Sequence, residues 1–97
     1  MKKLIGKPVV VRGYYCGNWA GTLVEIRPSD KTAVLKNAYR LWQWETNKGI
    51  CLSAVATYGV HEKSKISCPV SIVQLGDCYE VIAATEEAME TIKKAVK

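Results

Sequence analysis

Arg40-Leu41-Trp42-Gln43-Trp44 is the stretch on which the reading of this chain turns. In an extended strand successive side chains point to opposite faces, so Arg40, Trp42 and Trp44 form one row and Leu41 and Gln43 the other. That row holds two of the three tryptophans and one of the three arginines. Indole faces stack on flat rings and cations, and a guanidinium pairs with phosphate through parallel hydrogen bonds. The row therefore suits a flat, anionic ligand. The same indoles equally serve as core or interface residues, because large aromatics supply much of a small domain's buried area.

Working outward, the first 45 residues read as a meander of four antiparallel strands. Lys7 to Tyr15 is a valine-rich strand, and Gly17-Asn18 is a turn signal. Trp19 to Ile26 forms the second strand, and Arg27-Pro28-Ser29-Asp30-Lys31 turns with Pro28 pre-set for the first turn position. Thr32 to Ala38 is the third strand and Tyr39 to Glu45 the fourth, joined by a bulge or bend near Asn37. Such a sheet is too small to stand alone, so it must curl into a small barrel or pack on helices or another subunit.

The second half adds two helices. Ile50 to Tyr58 reads as a short helix with Cys51, Leu52, Val55 and Ala56 on one face and Gly59 at its C-terminal cap. His61 to Lys65 is a polar loop, Ile66 to Leu75 a strand marked as an edge by Pro69, and Cys78 to Ala84 a last strand after the Gly76-Asp77 turn. Thr85 to Lys97 is the clearest helix. Thr85 is its N-cap, Glu86 and Glu87 lie in the first turn, and Lys93, Lys94 and Lys97 lie near the end. Ala88, Met89, Ile92, Ala95 and Val96 form its apolar stripe, and Glu90 and Lys94 an i,i+4 pair. The expected architecture is thus α+β: a curled antiparallel sheet, a short middle helix and a C-terminal helix, in a single domain over residues 1–97.

The chain is 97 residues long, 48% apolar, and carries 14 Lys+Arg against 9 Asp+Glu, a formal charge of +5. The excess favours an anionic partner such as a nucleotide or a nucleic acid. No run of about 18 apolar residues is present, and Gly6-Lys7-Pro8 and Arg12 interrupt the opening apolar stretch, so the expected location is cytoplasmic. Cys16, Cys51, Cys68 and Cys78 show no C-x₂-C spacing and read as reduced, buried thiols rather than a metal site.

Catalytic chemistry finds few residues. His61 is the single histidine and has no acid, serine or cysteine at a suggestive spacing. The two aspartates, Asp30 and Asp77, sit in turn signals, and Glu25, Glu45 and Glu80 are dispersed on strands. The chain is therefore read as binding something rather than transforming it, with no cofactor. The first half holds six of the eight aromatics and all three arginines. Arg12 and Tyr14 share a face of the first strand, and Trp19, Tyr39, Arg40, Trp42 and Trp44 complete a set of stacking rings and forked donors. Lys63 and Lys65 stand in the polar loop as groups to close over an anion, or as solvated lysines.

Two resemblances attach to these residues. Gly13-Tyr14-Tyr15-Cys16-Gly17-Asn18-Trp19-Ala20-Gly21-Thr22-Leu23, then Leu35 to Glu45 with its arginine, apolar, Trp, x, Trp strand, then Leu52-Ser53, Lys65-Ile66-Ser67 and Glu80-Val81-Ile82, resemble small phage proteins of the first Thoeris anti-defence family. That resemblance implies a sponge that binds cyclic ADP-ribose-type immune signals without degrading them. It further implies pockets between subunits of a homodimer or dimer-based oligomer, larger assemblies that also hold cyclic oligonucleotides, and a place in the host cytoplasm. It sets Trp19, Arg40 and the loop from Lys63 to Ile66 near ligand. This chain has no phenylalanine, so any stacking Phe of the family would be replaced here by Tyr or Trp. Separately, Gly6-Lys7-Pro8-Val9-Val10-Val11, Gly17, Gly21-Thr22-Leu23 and Ala33 to Ala38 are similar to the first motif of Sm-like small barrels, which implies RNA or DNA binding.

Overall fold

The computed structural model describes residues 2–13, 17–43, 52–61 and 64–96. The Val9-Val10-Val11 run stiffens strand β1 (Pro8–Gly13), which pairs antiparallel with β2 (Asn18–Arg27). Pro28 opens a 3₁₀ turn, Pro28–Asp30, closed by Lys31 in the left-handed region at φ 57°. Strand β3 (Thr32–Gln43) returns along β2. Helix α1 (Leu52–Tyr58), β4 (Lys65–Ile66), β5 (Val70–Leu75), β6 (Cys78–Ala83) and α2 (Glu86–Ala95) follow.

Three expected boundaries change. The third and fourth strands are one strand, β3, as far as Gln43. The bend does fall at Asn37, which adopts φ 50°, and the ladder with β2 shifts register between Ala20 and Thr22. Asparagine tolerates that conformation better than most residues, and the strand runs on because both halves pair with the same neighbour. Conversely, the expected strand from Ile66 to Leu75 is split into β4 and β5, with Cys68 and Pro69 outside both. Lys65, expected in the loop, belongs to β4.

The strand order is β4-β3-β2-β1-β6, with β5 pairing β3 on the same side as β4. Strands β5 and β6 therefore stand at opposite edges of the sheet, yet only Gly76 and Asp77 separate them in sequence. A two-residue link cannot cross a flat sheet of this width, so the sheet curls until its edges approach. The Cys78 N–H then donates to the Lys31 carbonyl at 2.9 Å.

Curling gives the sheet two buried faces. One encloses Val9, Val11, Trp19, Leu23, Leu35, Ala38 and Leu75. The other carries Val10, Ala20, Tyr39 and Leu41 against Leu52, Val55 and Ala56 of α1 and Met89, Ile92 and Ala95 of α2. The expected stripe on α2 is thus the buried one. Thr85 caps α2 as expected, its hydroxyl accepting from the Ala88 N–H at 3.0 Å and donating to the Thr57 carbonyl at 3.0 Å. Glu90 pairs with Lys93 at 3.5 Å, an i,i+3 contact in place of the expected partner Lys94. Among the described residues no helix is long and apolar enough to cross a membrane.

Candidate functional site

The ladder between β2 and β3 sets Trp19 directly opposite Arg40. Residues opposite one another across a ladder share a face, and Trp42 joins that face two residues further along β3. The guanidinium carbon of Arg40 lies 4.8 Å from the centroid of the Trp19 ring and 5.4 Å from that of Trp42. Both distances are within cation–π range. The Arg40 backbone is held from the β4 side, where its N–H donates to Ser67 Oγ at 2.8 Å and its carbonyl accepts from the Ser67 N–H at 3.0 Å. A charged fork is therefore fixed between two indoles on a residue whose N–H and carbonyl are both bonded to Ser67.

The two indoles differ in role. Trp19 is only 6% exposed and packs among the residues enclosed by the curl, so it is the floor of the site. Trp42 is 64% exposed, which leaves indole surface open to a ligand. The Arg40 Nε is buried and has no hydrogen-bond partner among the described residues. An unpartnered buried donor is costly to keep, and an oxygen acceptor delivered by a ligand would relieve it.

The other sequence-chosen residues separate from this cluster. Tyr39, 8% exposed, alternates with Arg40 and lies on the helix-covered face. It does not join the row because the strand pleat sends it the other way. Arg12 alternates with buried Val11, whose partner across the ladder is Trp19, so it faces away from Trp19. It pairs instead with Glu80 at 3.7 Å, an exposed contact. Lys65 is exposed and alternates with buried Ile66, which places it at the Trp42 end of β3 on the Arg40 side. Tyr14, Trp44 and Lys63 lie outside the described residues.

A cleft elsewhere on the molecule was not signalled by any sequence pattern. A cleft of about 260 Å³ lies between the Arg27–Lys31 turn and β6, lined in part by Ile26, Arg27, Lys31, Cys78, Glu80 and Val81. It forms because the curl brings distant strands together, a contact without a local motif. Arg27 is engaged there by Glu25 at 2.9 Å and Asp30 at 3.5 Å, which offsets its charge. The Cys78 thiol donates to the Leu75 carbonyl at 3.5 Å. None of the described residues chosen from sequence lines this cleft. Among the described residues no three His, Cys, Asp or Glu side chains gather as a metal-binding group.

The model of a family described as a domain of unknown function (DUF6948) matches residues 6–92, so the chain belongs to that family. No curated protein and no solved structure matches it.

Proposed function

We propose that this member of the DUF6948 family is a non-catalytic sponge that binds and sequesters a cyclic nucleotide signal, of the cyclic ADP-ribose type or a cyclic oligonucleotide. The observation that carries the reading is the Arg40 guanidinium set between Trp19 and Trp42 with its Nε buried and unpartnered. A phosphate oxygen is the acceptor such a donor lacks, and charge-assisted bonds of this kind are about twice as strong as neutral ones. The exposed face of Trp42 supplies a platform for a base. Lys65 at the same end of β3 adds a cation, and a second subunit would close the pocket. The resemblance to the first Thoeris anti-defence family supports the same assignment and would imply the cytoplasm of a phage-infected host as its location. Sequestration works by mass action: a tight binder in excess starves the effector that needs the signal.

The test is a two-stage release assay. The purified chain is mixed with cyclic ADP-ribose isomers and with cyclic di- and trinucleotides, filtered, and heated to release what it retained. Release of an unchanged nucleotide supports the sponge. Retention of nothing from the panel sinks it, and a ligand recovered as product would make the chain an enzyme.

The second reading is a nucleic-acid-binding small barrel, favoured by the curled sheet and the charge of +5. Salt separates the two. Binding to a polymer releases many counterions and weakens steeply with salt, whereas a pocket for one or two phosphates responds weakly.

A further inference from the structure

We propose that strand β5 is a self-pairing edge, on which a second copy of this chain docks antiparallel to form a continuous sheet across a two-fold axis at Ile72. The proposal rests on the sponge reading only for its consequence, that it supplies the subunit boundary which would close the pocket. The surface itself follows from β5.

Among the described residues β5 has a ladder with β3 alone, so its outer edge lies open. An open edge is a template for another strand, and proteins usually guard it with charge, a bulge or an irregular end. Here the edge segment from Ile66 to Leu75 contains no charged residue, and β5 pairs with β3 in unbroken register from Val70 to Leu75. The side chains it shows are uncharged: Ile72 is 64% exposed and Val70 36%, with the polar Ser71 and Gln74 exposed beside them. Pro69 bounds the segment at its start, so the usable edge is β5 itself.

Charge selects the occupant. Two copies of a chain with a formal charge of +5 repel, and the cost is least where the contact is uncharged. An anionic partner would gain nothing from this edge, whereas a second copy meets its own neutral strand. The charged neighbour of Ile72 by register is Lys36 on β3. Pairing β5 with its copy would keep the two Lys36 strands three strand spacings apart, about 14 Å. That exceeds the Debye length of roughly 8 Å at physiological salt.

Symmetry then fixes the register. Directly opposed residues share a face, so paired positions must have the same parity, and the two-fold axis passes through a residue rather than between two. An axis at Ile72 opposes Ile72 to its own copy, Val70 to Gln74 and Ser71 to Val73. It is the choice that covers the most exposed apolar side chain of β5 with an equal one.

The experiment uses the full chain without ligand. Light scattering and sedimentation across a concentration series should show a reversible dimer. Ile72→Lys and Ile72→Glu each set like charges across the axis, and each should weaken the dimer at least tenfold. An equal mixture of the two should recover it as a heterodimer. Far-UV circular dichroism and thermal melts check that both variants fold. Should either fail to fold, amide exchange of the wild-type chain replaces it, with concentration-dependent protection expected across Val70–Leu75. A wild-type chain that stays monomeric overturns the proposal, as does a dimer indifferent to both substitutions, a mixture that fails to reassociate, or a β5 without protection. Loss of nucleotide retention with the dimer intact would sink the sponge and leave the edge assignment standing.

Discussion

Arg40 stands opposite Trp19 across the β2–β3 ladder, its guanidinium carbon 4.8 Å from the centre of the indole. The contact is favourable, but it satisfies no N–H, and among the described residues the buried Nε has no acceptor. Its replacement should therefore leave stability nearly unchanged while removing binding. Arg40→Met keeps the apolar stem and removes the unpartnered donor. It should leave folding free energy within about 1 kcal/mol of the parent, because the lost cation–π contacts and the relieved desolvation are of similar size. The same change should abolish nucleotide retention in the filtration assay. Urea melts run beside that assay check both halves. A large loss of stability with retention intact would make Arg40 a structural residue.

Trp42 gives a complementary expectation. Its exposed indole contributes little burial, so Trp42→Ala should shift stability by no more than about 0.5–1 kcal/mol, the range of surface positions. Retained nucleotide should fall by about tenfold or more, since a stacked base is worth about 1–3 kcal/mol. Trp42→Phe should recover part of that loss by restoring a ring. Equal retention in Trp42→Ala and the parent would remove the stacking platform from the mechanism.

Arg12 is the internal control. Its pair with Glu80 at 3.7 Å is exposed on both sides, and such pairs contribute between zero and about 1 kcal/mol. It also lies on the face turned away from Trp19. Arg12→Ala should accordingly leave both the melting transition and nucleotide retention close to the parent's. A drop in retention comparable to that of Arg40→Met would show that charge anywhere on the sheet matters, as a polymer binder requires.

Much of this was legible in the chain because it depends on local period. Alternation from Arg40 to Trp42 placed two side chains on one face, and Trp19 met them because the β2–β3 turn fixes the register. Thr85, Gly59 and the α2 stripe were legible for the same reason: caps and 3.6-residue spacing act over a turn or two. That Arg12 and Tyr39 stand apart from the Trp19–Arg40–Trp42 cluster was not legible, since the pairing of strands and the face that helices cover are non-local. Pattern alone gave a break at Asn37 but not its consequence, because one left-handed residue can either end a strand or bend it. The cleft beside Cys78 has no sequence signal, as only the closure of the curl creates it.

The joint between the helices yields the sharpest stability test. Gly59 follows α1 at φ +89°, a conformation that L side chains rarely adopt, and its N–H closes the helix onto the Val55 carbonyl at 2.8 Å. A Cβ placed there would run into Thr91 Oγ1 and lie 3.0 Å from the Thr91 Cβ and Cγ2. Thr91 is held in turn, its hydroxyl accepting from the Val60 N–H at 2.9 Å and donating to the Ala88 carbonyl at 2.7 Å. Gly59→Ala thus combines backbone strain of order 1–3 kcal/mol with a clash against a side chain that cannot swing away. Thr91→Ala removes the Oγ1 and Cγ2 contacts and leaves only its Cβ at 3.0 Å, but strands the Val60 N–H, at a cost of about 1–3 kcal/mol. The two defects share one cause, so the double variant should be less destabilised than the sum of the single ones, by about 0.5–3 kcal/mol of coupling. Chemical melts of the four proteins measure that cycle. Strict additivity would mean that Thr91 is not what confines position 59.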